Sequence, residues 1–198
     1  MSLKHSYALI APFYDAALGD GMNATRQRSL SALPEAPARV LINGVGTGLD
    51  LPHLPRQHHY VGVDLTSAML ARACRRAGGL EFRAVQGDVQ QLPFADASFE
   101  HAVLHLILAV VPDPAACLRE AARVVAPGGS VLIFDKFLRP GQRAPLRRLI
   151  NPLLRRVATR LDVVFEETLV QVPRLVLEAD EPALAGGWFR LIRLIRTH

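Results

Sequence analysis

Short apolar runs alternate along this chain with longer stretches in which apolar positions recur every three or four residues, the respective signatures of strand and helix. Arg39-Val40-Leu41-Ile42 ends in glycines and has the length and punctuation of a buried strand. Tyr60-Val61-Gly62-Val63 ends at Asp64, Glu81 to Gln86 alternates and ends at Gly87-Asp88, and Ser130 to Phe134 repeats the pattern. Phe99 to His105 is apolar almost throughout, as expected of a strand covered on both faces. Between these runs, Ala68 to Ala77 predicts a helix that Thr66 and Ser67 can cap and Gly78-Gly79 stops. Pro112-Asp113-Pro114 opens another, with Leu118, Ala121, Ala122 and Val125 as its apolar stripe and Pro127-Gly128-Gly129 as its stop. A polar, helical lead-in ends at the Pro-bounded piece Leu33-Pro34-Glu35-Ala36-Pro37. An Arg-rich, Pro-broken helical stretch covers 143–160, and two last strands lie near Arg174–Ala179 and Trp188–Ile195.

Strands that alternate with helices predict a parallel sheet covered by helices on both faces. The last two strands are joined by a loop too short for a parallel crossover, so one of them runs antiparallel. The expected architecture is a doubly wound α/β domain spanning 1–198, with residues 1–36 as an N-terminal helical lid and 139–172 as a helical insertion near the active site.

Composition narrows the class. With 198 residues, half of them hydrophobic and 21% charged, the chain reads as one globular domain and not as a disordered tail or fibrous repeat. Two cysteines, Cys74 and Cys117, are too few for a disulfide framework and lack metal-ligand spacing. Both fall in predicted helices and are expected to be reduced core thiols of a cytoplasmic protein. His53, His58 and His59 lie in a polar loop, are expected to face solvent and imply no metal. The longest apolar run, Ala102 to Pro112, has 11 residues against the ~20 a helix needs to cross a bilayer. Pro12, Tyr14 and Asp15 interrupt the apolar opening, so no signal peptide is expected.

Of the 23 basic residues only Lys4 and Lys136 are lysines, a skew that records a GC-rich genome and not a function. Residues 139–165 hold seven Arg and one Asp, more positive charge than the chain's net +5, which concentrates the charge on one basic face.

The candidate chemistry begins at Gly44-Val45-Gly46-Thr47-Gly48, directly after the first strand. Glycines there let the backbone turn sharply and let a ligand approach the main chain. The spacing is G-x-G-x-G; a dinucleotide fingerprint would place its third glycine at Leu49, which disfavours a nicotinamide dehydrogenase. Asp64 ends the second strand, where a carboxylate can accept from both hydroxyls of a ribose. Asp88 ends the third, where a carboxylate can accept from an adenine amine while the Val89 N–H meets a ring nitrogen. All three features fall at strand carboxyl ends, where open α/β sheets bind ligands.

In order, V-L-I-N-G-V-G-T-G-L-D-L-P, G-V-D-L-T-S-A-M-L, G-D-V-Q-Q-L-P-F, S-F-E-H-A-V-L and R-V-V-A-P-G-G resemble the successive motifs of class I S-adenosylmethionine-dependent methyltransferases. Tyr14-Asp15 makes the chain similar to the quinone-biosynthesis and bacterial phosphatidylethanolamine N-methyltransferase group within them. The resemblance implies a seven-stranded Rossmann-like sheet of order 3-2-1-4-5-7-6 with strand seven antiparallel. It implies S-adenosylmethionine as cofactor and S-adenosylhomocysteine as product. Gly44, Gly46, Thr47 and Gly48 would line the methionine and ribose, Asp64 would hold the ribose hydroxyls, and Leu65 and Met69 would flank the adenine. Asp88 and Val89 would take the adenine edge, and Tyr14 and His105 would lie beside the cofactor. The family's carboxylate two residues before the first glycine is Ile42 here, and Asn43 or Asp50 is the candidate to stand in for it.

The implied function is methyl transfer to a small or lipid-like acceptor of quinone or secondary-metabolite type. Its rivals are an N-methyltransferase for a phospholipid head group and a non-catalytic cofactor-binding or membrane-docking module. A base is needed only if the acceptor must lose a proton before attack. The candidates are His105, Tyr7, Tyr14 and Asp135, with His105 equally readable as a packed strand-end histidine making one hydrogen bond. Asp135 and Lys136 read as a solvated strand terminus. Leu146, Leu149, Ile150, Leu153, Leu154 and Val157 interleave the arginines of 139–160 as on an amphipathic surface helix, which either closes the active site or approaches an anionic membrane. The expected location is the cytoplasm or the inner face of the membrane. Nucleic acid is disfavoured, because no stacking aromatics accompany the arginines.

Overall fold

A computed structural model describes residues 22–139 and 162–198 of the chain. A helix over 22–30 (α1) precedes β1 (Arg39–Asn43), β2 (His59–Asp64), α2 (Ser67–Arg76), β3 (Glu81–Gln86), β4 (Phe99–His105), α3 (Pro114–Val124) and β5 (Val125–Lys136). A short helix, Phe165–Leu169, leads into β6 (Leu175–Leu184) and β7 (Phe189–Arg196). The seven strands form one sheet of order β3-β2-β1-β4-β5-β7-β6. The pairs among β1 to β5 are parallel, and β7 runs antiparallel to both neighbours. The expected class and strand order are thus observed.

Side-chain alternation sorts the core onto two faces. Leu41, Ala102, Leu104, Val131 and Ile133 pack against Leu118, Ala121 and Ala122 of α3. Val40, Ile42, Val103 and Leu132 pack against Leu30 and Leu33, at and just beyond the end of α1, and against Leu70 and Ala73 of α2. Both faces are covered at the centre of the sheet, which is why β1 and β4 read as continuous apolar runs.

Four local expectations need correction. Val125 begins β5 and is not in the α3 stripe; the helix already ends at Val124. Pro127-Gly128-Gly129 lies within the strand, where Gly129 passes so close to the Glu100 carbonyl that a side chain would collide with it. Thr66 does precede α2, but its hydroxyl turns back to Asp64 and does not cap the helix. β6 runs to Leu184, well past Ala179, because Glu178-Ala179-Asp180-Glu181-Pro182 pairs with β7 on one side only and carries none of the apolar alternation of a covered strand. Two register shifts and Pro182 blunt that outer edge.

Candidate active site

The carboxyl ends of β1, β2 and β3 meet at the glycine turn. The N–H groups of Gly44 and Val45 both donate to the Val63 carbonyl (3.0 and 2.9 Å), which bends the chain sharply out of the sheet. Gly48 has φ +83° and faces Leu51 and Ala73 so closely that a side chain would strike α2 at the Ala73 Cα. Gly46 has φ +55° but borders open space, with only the Gly44 carbonyl 4.0 Å from where a Cβ would sit. One glycine therefore seats the turn on α2, and the other leaves room for a ligand against the main chain. Arg76, at the end of α2, donates to the Thr47 carbonyl and hydroxyl (2.9 and 2.8 Å) and fixes the turn from outside.

Asp64 holds the turn from inside. Its Oδ2 accepts from the Gly46 N–H and its Oδ1 from the Thr66 N–H, both at 3.0 Å. Burial still pushes its carboxyl above the ordinary range against these donors. Met69 is buried and Leu65 is 40% exposed. Asp88 is exposed and accepts from the Gln90 N–H at 2.8 Å, and Val89 beside it is buried.

A buried polar array closes the opposite side of the site. Arg26 donates to Asp50 Oδ1 at 2.6 Å, His105 Nδ1 reaches the same oxygen at 2.7 Å, and His105 Nε2 lies 2.9 Å from the Ser29 hydroxyl. A carboxylate only accepts, so Nδ1 carries a proton and both ring nitrogens are engaged. The His105 side chain is fully buried, and it makes two hydrogen bonds where one was expected. Burial opposes charge on Asp50, but attraction to His105 and Arg26 and the hydrogen bonds from both outweigh it and hold the carboxyl well below its usual range. Sequence reasoning missed Arg26 and Ser29. They share the buried face of α1 with Met22, Thr25 and Leu30, and polar residues at helical spacing between apolar ones were the available signal.

The array also separates the two stand-ins for the missing acid. Asn43 faces α3, where its Nδ2 meets Cys117 Sγ at 3.6 Å and its Oδ1 has no hydrogen-bond partner. Ile42 pairs in register with Val103, whose face of β4 also carries His105, so the Asp50 carboxylate lies on the face of Ile42.

Other expectations change as well. Asp135 is fully buried, not solvated: it accepts from the N–H groups of Ala109 (3.0 Å) and Lys136 (2.8 Å). It thereby anchors the loop after β4, from which Ile107 packs over Gly44. His58 is buried, accepting from the Ala38 N–H at 3.1 Å and setting its ring edge-on to Tyr60, because it sits directly under the start of β2. Cys117 is a core thiol, but Cys74 is exposed, one position outside the buried stripe of α2. Tyr7, Tyr14 and residues 140–161 lie outside the described residues, and so does most of the expected lid and insertion. Among the described residues no group of three His, Cys, Asp or Glu is placed to hold a metal, and no helix is long and apolar enough to cross a membrane.

Comparison with known proteins decides the family. The model of a methyltransferase domain matches residues 41–133. A phosphatidylethanolamine N-methyltransferase of Cereibacter sphaeroides is 31% identical over 188 residues, covering 92% of each chain. The chain belongs to the methyltransferase family. A demethylmenaquinone methyltransferase of Roseiflexus sp. (strain RS-1) is 30% identical to this methyltransferase over 213 residues, covering 97% of this chain and 89% of the relative. The fold matches a chain from the complex of the Haloferax volcanii Trm112 methyltransferase activator with its methyltransferase (TM-score 0.79, 18% identity, 97% and 98% covered). It also matches geranyl diphosphate methyltransferase in complex with S-adenosylmethionine (TM-score 0.71, 17% identity, 96% and 90% covered). The methyltransferase uses S-adenosylmethionine, and the open cradle at Gly46 beside the Asp64 carboxylate fits an adenosyl group.

Proposed function

We propose that this methyltransferase acts on a small, apolar-bodied acceptor of quinone, secondary-metabolite or lipid type. The observation that carries this reading is an aromatic floor beside the buried array. His105 contacts Phe134 (ring centroids 5.7 Å apart), Phe134 contacts Phe189 (5.9 Å) and Phe189 contacts Trp188 (5.5 Å). Phe189 and Trp188 are half-exposed, while Met22, Leu106 and Leu191 complete the floor. It lies at the strand ends that also carry the glycine turn.

Bound S-adenosylmethionine supplies an electrophilic methyl group on a sulfonium, so the protein needs no nucleophile of its own. Gly44, Gly46, Thr47 and Gly48 hold the methionine and ribose side, Asp64 takes the ribose hydroxyls, and the Thr66 hydroxyl is the donor it can release to do so. Leu65 and Met69 flank the adenine, and Asp88 and the Val89 N–H read its edge. His105 orders the site and takes no proton from the acceptor, because both its nitrogens are engaged. Asp50 supplies the acid absent at Ile42. Catalysis is then alignment of donor and acceptor, which can lower a barrier by ~7–11 kcal/mol in the best cases. Residues 1–36 serve as a lid over the acceptor. Segment 139–160 draws the protein to anionic lipid, and binding to anionic liposomes that weakens as salt rises tests that part.

A phospholipid head group is the second reading, favoured by the match to the Cereibacter sphaeroides relative over 92% of both chains. Radiolabelled methyl donor, incubated with lipid extract and with a metabolite panel, tests both: label in an apolar small molecule or a phospholipid is expected. Label in neither fraction, with S-adenosylhomocysteine binding intact, would overturn both.

A further inference from the structure

We infer that Lys136 is an acceptor-binding residue and that the acceptor carries an oxyanion beside its apolar body. This rests on the aromatic floor being the acceptor's seat, and it names the polar half of that seat.

Lys136 is the last residue of β5 and pairs in register with Phe189 of β7. The period of a strand puts it on the face of Phe134, and the β4–β5 register puts His105 on that face too. The side chain therefore leaves the sheet on the face that carries the floor, at the carboxyl end of β5. It is half-buried, and among the described residues its Nζ makes no ion pair or hydrogen bond. The charge acting on it is that of Asp135, which points to the opposite face and gives its oxygens to backbone N–H groups.

Neighbouring cations are satisfied. Arg26 is paired with Asp50, and Arg190 with Asp180 and Glu166 beneath the rings of Phe137 and Phe165. Burial pushes the Lys136 ammonium below its ordinary range, only partly offset by Asp135. A cation taken out of water without a partner is costly unless a ligand brings the opposite charge. Aromatic rings supply no such charge and no described residue pairs with the ammonium, so the counter-ion is assigned to the acceptor. A phospholipid phosphate and the ionised hydroxyl of a quinone ring both meet that requirement.

Trp188 is the chain's single tryptophan and touches Phe189, so its fluorescence reports occupancy of the floor. The titration uses the full chain saturated with S-adenosylhomocysteine. One arm compares dihexanoyl phosphatidic acid with dihexanoylglycerol, and the other compares 2-hydroxy-1,4-naphthoquinone with 1,4-naphthoquinone. The wild type is expected to bind at least one anionic probe more tightly than its uncharged counterpart, and the arm that shows it identifies the source of the oxyanion. Lys136→Met should weaken that probe about tenfold or more, leave the uncharged one unchanged, and be rescued by Lys136→Arg.

Equal affinity of wild type and Lys136→Met for the anionic probe overturns the inference. So does an equal loss for both probes of a pair, which would mean packing by the lysine stem, or a wild type that never prefers the anion. Failure of the wild type to bind S-adenosylhomocysteine would strike the cofactor assignment instead, and the probe comparison without it would still decide the role of Lys136.

Discussion

The two halves of the site are built in different ways. On the side of β1, β2 and β3, the groups are backbone and carboxylate at adjoining strand ends: Gly46 with Asp64, Asp64 with Thr66, Asp88 with Gln90. On the side of β4, β5 and β7, the groups are side chains brought from far apart: Arg26 and Ser29 with Asp50 and His105, Phe134 with Phe189. The first half makes a site from the geometry of a turn. The second makes one from tertiary packing.

The sharpest test of this contrast is Asp50→Asn, which leaves the shape but strands the buried Arg26 charge. Breaking a buried pair this way should cost about 3–5 kcal/mol in urea unfolding at neutral pH. The pH dependence follows from its sign: the folded-state pKa of Asp50 lies below the unfolded value, so its contribution is complete above about pH 4 and is lost as pH falls from there toward the folded pKa. The gap between wild type and Asp50→Asn should therefore narrow on acidification. A loss under about 1 kcal/mol with no narrowing would make the array a surface-like contact.

Gly48→Ala tests the other half by the same measurement. Its positive φ and the close approach of the Ala73 Cα predict a loss of roughly 2–4 kcal/mol. Gly46→Ala has the strained φ but open space, so its stability loss should be smaller while its loss of cofactor affinity is larger. Equal stability losses at both positions would erase the distinction between the glycine that seats the turn and the glycine that faces the ligand.

These differences explain what was legible in the sequence. Strand ends with Gly, Asp or Gly-Asp are local signals, and β3 and β4 have the bounds that the alternation of one and the apolar run of the other indicate. The order of the sheet followed from motifs whose succession is fixed by topology. By contrast, nothing near Asp50 marks it as the partner of a histidine 55 positions away. Lys136 and Asp135 look like a polar strand terminus, yet the loop after β4 gives a backbone N–H to Asp135, and Lys136 pairs in register with Phe189. His58 was misread for the same reason: its neighbours Gln57 and His59 are exposed, and only the packing under β2 buries it.

Asp64→Ala measures how far the cofactor half depends on its one partly buried carboxylate. Removing charge-assisted contacts should weaken S-adenosylhomocysteine, titrated calorimetrically, by on the order of 1.5–3 kcal/mol. The turn itself should hold, because Gly44 and Val45 remain bonded to Val63. Unchanged affinity would remove Asp64 from the cofactor site.

Asp88→Asn should give the smallest effect and the most specific one. Asparagine keeps an oxygen able to accept from the Gln90 N–H, so the local turn is preserved and the variant differs mainly in charge. The carboxylate is exposed, and solvent screens what it contributes, so affinity for S-adenosylhomocysteine should fall only about threefold to tenfold. The fall should disappear for an analogue in which hydrogen replaces the adenine amine, because the contact proposed for Asp88 is to that amine. Binding of the two ligands then distinguishes base reading from general electrostatics. A loss that is the same for both would mean that Asp88 acts on the cofactor through its charge alone, and recognition in this half would then rest on the glycine turn and Asp64.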